Sequence, residues 1–221
     1  MPKITDLVTI KTLTFPEDQY YKEVYPKKQI VLHHTASGRG IDGDFKHWLN
    51  TPERIATCVI IDAEGVVFQL FSSKYWGHHL GVKLDTFSKM KTTNQSNMLL
   101  NRQAIAVEID NWGGLTKKEG KWYSYTNTLV HDENVVEYPQ GYRDFFAFEK
   151  YTAKQIETTK QLILYWADLY KIPLNYNEDM WDVSAKALEG TAGIFTHNSY
   201  RSDKSDLHPQ AEMIEMLKSL C

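Results

Sequence analysis

Apolar residues along this chain fall in short runs separated by polar turns. Residues 30–34 open with Ile30, Val31 and Leu32, largely β-branched, and predict a strand that ends on His33 and His34. Residues 57–61 read as a fully buried strand, and residues 66–70 as its hairpin partner. Between them Asp62-Ala63-Glu64-Gly65 has turn composition, with Gly65 supplying a positive φ. Residues 104–109 predict another buried strand, closed by Trp112-Gly113-Gly114. Ile194-Phe195-Thr196 looks like a further strand end, directly before His197. The period changes over residues 152–170, where Ile156, Leu162, Ile163, Trp166 and Leu169 recur at helical spacing. Thr152 can cap that helix and Pro173 follows its end. A short helix is expected at 44–50. A last helix begins near Pro209 and carries Met213, Ile214 and Leu217. Strands interspersed with helices predict an α/β fold, a mixed central β-sheet covered by helices.

Composition narrows the class. With 221 residues, 42% hydrophobic and 24% charged, the chain reads as one globular domain over 1–221. A net charge of −3 gives no electrostatic footprint for nucleic acid or an anionic membrane. The apolar runs are too short to span a bilayer, so no membrane insertion is expected. The N-terminus lacks a charged-then-apolar signal pattern, which predicts synthesis in the cytoplasm without a signal peptide. Two cysteines, Cys58 and Cys221, make no disulfide framework. Residues 115–147 are rich in Tyr, Lys and Asn and read as an inserted hairpin or long loop.

Candidate chemistry starts from the histidines. His33 and His197 each stand at a predicted strand end, and Asp206 follows His197 by nine residues in a polar loop. Two imidazoles and a carboxylate suit a borderline-soft ion such as zinc, and three protein ligands leave a fourth position open for water. On spacing alone, surface or hydrogen-bonded histidines are the commoner reading of such a pair.

Four segments change that weighting. Val31-Leu32-His33-His34-Thr35-Ala36 resembles the strand-end motif of the N-acetylmuramoyl-L-alanine amidase family, amidase-2 type, which includes phage amidase endolysins and peptidoglycan-recognition proteins. The stretch from His197 to Pro209 resembles its C-terminal motif, a His followed by Lys-x-Asp and then a Pro. Ala104-Ile105-Ala106-Val107-Glu108-Ile109 resembles its central strand with an acidic residue. His78-His79-Leu80-Gly81 resembles its Trp-His-x-Gly segment. The matches run in family order.

The resemblance implies an amidase/peptidoglycan-recognition-protein-like fold. It implies zinc-dependent hydrolysis of the amide between N-acetylmuramic acid and L-alanine, with peptidoglycan or a muropeptide as the partner. His33, His197 and Asp206 would be zinc ligands and Glu108 the general base. Lys204 would stabilise the oxyanion. His34 points to the opposite side of the strand and reads as a packing or hydrogen-bonding residue. Val107 and Ile109 should face away from Glu108. There are departures. Thr57 falls near the place where some family branches put a Tyr, which favours the branch that uses a Glu. His78 stands where the Trp should be, with Trp76 nearby and His79 then lining the cleft. The 115–147 segment has no counterpart in compact members. Trp48, Trp112 and Tyr200 are candidates to line an open groove. A phage-type endolysin acting on the cell wall is the expected setting. A cytoplasmic wall-recycling amidase and a non-catalytic peptidoglycan-binding module are the alternatives. The absence of a His-Glu-x-x-His motif argues against a zinc peptidase.

Overall fold

The structure is a computed structural model that describes residues 4–38, 40–92 and 95–221. In chain order it runs through β1 (Ile10–Thr12), β2 (Gln29–His34), α1 (Asp42–Leu49), β3 (Val59–Ile61) and β4 (Val67–Gln69). Then come α2 (Leu84–Lys89), α3 (Asn97–Gln103) and β5 (Ala104–Ile109). Five shorter or more polar strands follow: β6 (Thr116–Lys118), β7 (Lys121–Tyr123), β8 (Leu129–Val130), β9 (Val135–Tyr142) and β10 (Phe145–Glu149). The chain closes with α4 (Ala153–Tyr170), α5 (Ala185–Leu188), β11 (Gly193–Thr196) and α6 (Ala211–Lys218).

Six strands build the central sheet in the order β1-β4-β3-β5-β2-β11. β3 and β4 pair antiparallel, as their short turn requires, while β5 pairs parallel with both β3 and β2, and β2 pairs parallel with β11. This is the mixed, helix-covered α/β sheet that the sequence predicts. Strand β3 starts at Val59, two residues later than the apolar run suggests, and Thr57 lies just outside it, buried.

The alternation of side chains divides the sheet into two faces. On one face Ile30, Leu32, Ile105, Val107, Ile109 and Ile194 join Leu162, Ile163 and Trp166 of α4 and Met213, Met216 and Leu217 of α6 in the larger core. Burying each such aliphatic side chain stabilises the fold by about 1.5–3 kcal/mol. Helix α4 is held in register by a capping box, in which the Thr152 hydroxyl accepts from the Gln155 N–H and the Gln155 side chain accepts from the Thr152 N–H. Such a cap contributes about 1 kcal/mol. Leu169, part of the same period, is largely exposed near the helix end.

On the other face Val31, Ala104 and Phe195 pack under Leu80, Leu100, Ala187 and Leu188. Two residues beyond Val31 and Ala106 the same rows carry His33 and Glu108, paired in register across β2 and β5. His197 follows the last residue of β11. Polar groups thus replace apolar ones where the parallel strands reach their carboxyl ends, the place where open α/β sheets form a crevice.

The segment after β5 makes two small antiparallel units, β6-β7-β8 and the hairpin β9-β10. They share a core of Leu115, Trp122, Val130, Val135 and Ala147. The β6–β7 turn places Glu119 and Gly120 at φ 49° and 77°, two successive left-handed residues that match the twist of a tight hairpin. Among the described residues no helix is long and apolar enough to cross a membrane.

Candidate metal centre and active site

Three of the residues singled out by the sequence meet at one point. His33 Nδ1 lies 3.1 Å from His197 Nδ1 and 3.1 Å from Asp206 Oδ2, and His197 Nδ1 lies 2.9 Å from Asp206 Oδ2. All three side chains are buried. The second nitrogen of each imidazole decides what the first can do. His197 Nε2 lies 2.9 Å from the Leu80 carbonyl oxygen, which can only accept, so Nε2 carries the proton. With Nε2 committed to that carbonyl, Nδ1 is the nitrogen His197 turns inward toward a cation. His33 Nε2 lies 3.1 Å from His79 Nδ1, so a proton on His33 Nε2 leaves its Nδ1 bare as well. Burial first, and the neighbouring His197 second, push the His33 imidazole down to about 4, which keeps it neutral near neutral pH. Burial would raise the Asp206 carboxyl, but the two imidazoles packed against it, His197 before His33, outweigh that and hold it well below the usual range. Two bare nitrogens and a carboxylate oxygen converge with no donor between them. That is an arrangement a cation stabilises, and the donor set fits zinc. The Leu80 carbonyl and His79 supply the outer contacts that orient such ligands.

Glu108 stands beside this group on β5, with Val107 and Ile109 turned into the opposite core. Burial first, then the Asp206 and Asp44 carboxylates, push its carboxyl well above the ordinary value, and the Lys204 ammonium pulls it back in part. Lys204 lines a cleft of about 530 Å³ together with Tyr21, His78, His79, His197 and Arg201. Lys204 forms no ion pair among the described residues, whereas Arg201 is held by Asp203 at 2.7 Å.

His34, on the far face of β2, belongs to a second network. The Tyr151 hydroxyl accepts from the His208 backbone N–H at 3.1 Å and so donates to His34 Nδ1 at 2.7 Å. His208 Nε2 faces the Glu149 carbonyl at 2.9 Å, so Nε2 donates and Nδ1 accepts from the Tyr138 hydroxyl at 2.8 Å. Tyr151 thereby ties the strand that bears His33 to the loop that bears Asp206, and Tyr138 ties that loop to β9. The sequence pattern does not point to this network. Its members lie 57 to 117 residues apart along the chain, and only packing brings them together.

Two consequences can be measured. Tyr151→Phe removes the donor to His34 and the acceptor for the His208 N–H, leaving two buried groups unpaired at about 1–3 kcal/mol each. Its effect on the metal is expected to be a roughly 10- to 100-fold weaker affinity, read by competition with a chromophoric chelator. Unchanged affinity would show that the network does not position the ligands. The second concerns acid. Burial also pushes the His34 imidazole down to about 4. The folded pKa is depressed, so the stability linked to His34 is complete above the unfolded value of about 6.5 and lost as pH falls toward 4, up to roughly 3 kcal/mol. Urea melts of the metal-free protein between pH 7 and 4 should show this decline, and His34→Gln should remove its share while the share of His33, held down to about 4 as well, remains.

Other expectations are corrected. Tyr200 is fully buried and donates its hydroxyl to Gln29 Oε1 at 3.0 Å, and Trp48 belongs to the main core, so neither lines a groove. Trp76 stacks on Tyr21 with ring centroids 4.0 Å apart, and His78 rather than Trp76 faces the cleft.

The family model described as N-acetylmuramoyl-L-alanine amidase matches residues 23–209. No curated protein is significantly similar in sequence. The catalytic domain of XlyA is 15% identical with a TM-score of 0.53, over 96% of this chain and 99% of that one. A mutant endolysin from Bacillus subtilis is 16% identical with a TM-score of 0.52, over 96% of this chain and 97% of that one. The Staphylococcus aureus hydrolase AmiA, in complex with its ligand, is 13% identical with a TM-score of 0.52, over 99% of this chain and 83% of that one. At these identities the likenesses speak to the fold alone.

Proposed function

This chain belongs to the N-acetylmuramoyl-L-alanine amidase family, and from that premise we propose that it hydrolyses the amide between N-acetylmuramic acid and L-alanine in peptidoglycan, with zinc held by His33, His197 and Asp206. The observation that carries the reading is the convergence of three buried lone-pair donors whose outer contacts fix their orientation. Zinc bound there supplies Lewis acidity and a water acidic enough to ionise near neutral pH. The chain's own groups do the rest. Glu108 takes a proton from the attacking water and returns it to the departing alanine nitrogen. Burial raises its carboxyl well above the ordinary value, which helps it hold the proton between the two halves of that task. Lys204 holds its ammonium at the cleft wall, where negative charge develops on the carbonyl oxygen. Leu80, Val31 and Phe195 close the apolar floor behind the ligands.

We propose that the protein acts at the bacterial cell wall, as a phage-type endolysin. The fold neighbours that include an endolysin support that setting. The complete donor set favours an enzyme over a binding module, because a module that only recognises muropeptides has no need of converging bare nitrogens. Mass spectrometry of the products from purified peptidoglycan tests the proposal. Release of peptides with a free L-alanine amino group is expected, and cleavage at any other bond, or none with zinc loaded, overturns it.

A further inference from the structure

The cleft beside Lys204 is paired with another recess at the carboxyl ends of β2 and β5. The other, about 380 Å³, lies between the exits of those strands and the small sheets that follow β5. It is lined by Trp112, Thr128, Leu129, His131, Asn134 and Glu149. The half-buried indole of Trp112 forms one wall, and two observations show it is held in place. Its backbone N–H donates to Glu149 Oε2 at 2.7 Å. Gly38 leaves space for the ring, since a Cβ there would sit 2.8 Å from the indole. Tyr125, 70% exposed, stands edge-on to Trp112 with centroids 6.2 Å apart.

The two recesses differ in charge. Lys204 and Arg201 line the first together with one carboxylate, Glu53, a cationic balance that suits a peptide with carboxylates. No Lys or Arg among the described residues lines the second, and its ionisable groups are Glu149 and His131. A fixed aromatic wall with hydroxyl, amide and imidazole groups around it matches a neutral ligand with one apolar face and a polar rim. A pyranose ring is such a ligand. Trp112 follows Glu108 by only four residues, so the two Cα atoms are at most about 14 Å apart.

We infer that the Trp112 recess is a glycan subsite that holds an N-acetylated sugar of the wall strand while the stem peptide lies in the Lys204 cleft. The inference rests on the amidase reading and adds a direction to it. The sugar chain runs over the strands that follow β5, and the peptide runs toward β11 and α3. Those strands then serve to select polymeric wall over small fragments.

The test uses the full zinc-loaded chain and two substrates, intact sacculi and a soluble muramoyl peptide with a single sugar. Trp112→Ala should lower cleavage of sacculi by roughly 30-fold, the size of an aromatic anchor's loss, and leave the single-sugar substrate within a few-fold. His131→Ala with Asn134→Ala removes polar groups from the rim and should weaken sacculus cleavage without touching the indole, which guards against misfolding of the first variant. A direct measurement runs beside these: tetra-N-acetylchitotetraose titrated into nitrogen-15-labelled protein should shift the Trp112 indole resonance saturably. Equal loss on both substrates, or no loss on either, overturns the subsite. Absence of any shift at Trp112 overturns it too. Saturable sugar binding by a protein that cleaves neither substrate would uphold the subsite and sink the amidase reading instead.

Discussion

His197→Ala is expected to reduce bound zinc from near one per chain to a small fraction, and with it all amidase activity. His197 supplies one of three donors, and its Nε2 proton holds the Leu80 carbonyl. Alanine removes the donor and leaves both Asp206 and the Leu80 oxygen short of a partner in a buried place. Loss of an outer-sphere partner alone weakens metal binding about 10- to 100-fold, and loss of a ligand is expected to exceed that. A buried carboxylate without its partner is also costly, so some loss of thermal stability is expected even without metal. His197→Cys provides the control. A thiolate suits zinc, so this variant should recover metal in part while the Leu80 contact stays broken. Elemental analysis and circular dichroism on the same samples check the set. Full zinc in a folded His197→Ala protein would show that the ion sits elsewhere.

The parts of this molecule legible in the sequence are those where one force decides. β2, β5 and β11 are buried on both faces, so their apolar runs stand out, and α4 is long enough for its period to show. α2, α3 and α5 span six, seven and four residues, too few for a period to emerge. β6 exposes all three of its residues and carries two lysines, so nothing in its pattern separates it from a loop. Its strand character comes from the hairpin turn and from Trp122 across the ladder. In the site, motif order points to His33, His197 and Asp206 and, through the His78-His79-Leu80-Gly81 segment, to His79 in the cleft, whereas Tyr151 owes its place to packing between distant segments. Tyr200 shows the opposite error. An aromatic beside a metal loop reads as a groove residue, yet its hydroxyl has a buried acceptor in Gln29, and that bond together with Phe195 draws it inward.

Glu108 and Lys204 separate catalysis from metal binding, because neither is proposed as a ligand. Glu108→Gln keeps the shape of the side chain and removes its ability to accept a proton. Zinc content and fold should be unchanged, and the rate should fall by about 10²–10⁴-fold, the usual worth of general acid–base assistance. The pH profile gives a second readout. A base must be deprotonated to act, and burial raises the Glu108 carboxyl well above its ordinary value. Wild-type activity should therefore climb with pH through that raised value, and the climb should vanish in Glu108→Gln. Lys204→Ala should also keep zinc, and removing one group that faces the developing oxyanion costs roughly 10²–10³-fold. Arginine at 204 should rescue only in part, because a planar fork presents its charge differently from a compact ammonium. Removing Lys204 also removes the positive charge that offsets the carboxylates around Glu108, so the acid limb of Lys204→Ala should move to higher pH. A structural lysine at the cleft mouth would not move that limb. Rates near wild type in both Glu108→Gln and Lys204→Ala, with zinc in place, would mean that the proton travels by another route even where the metal centre is right.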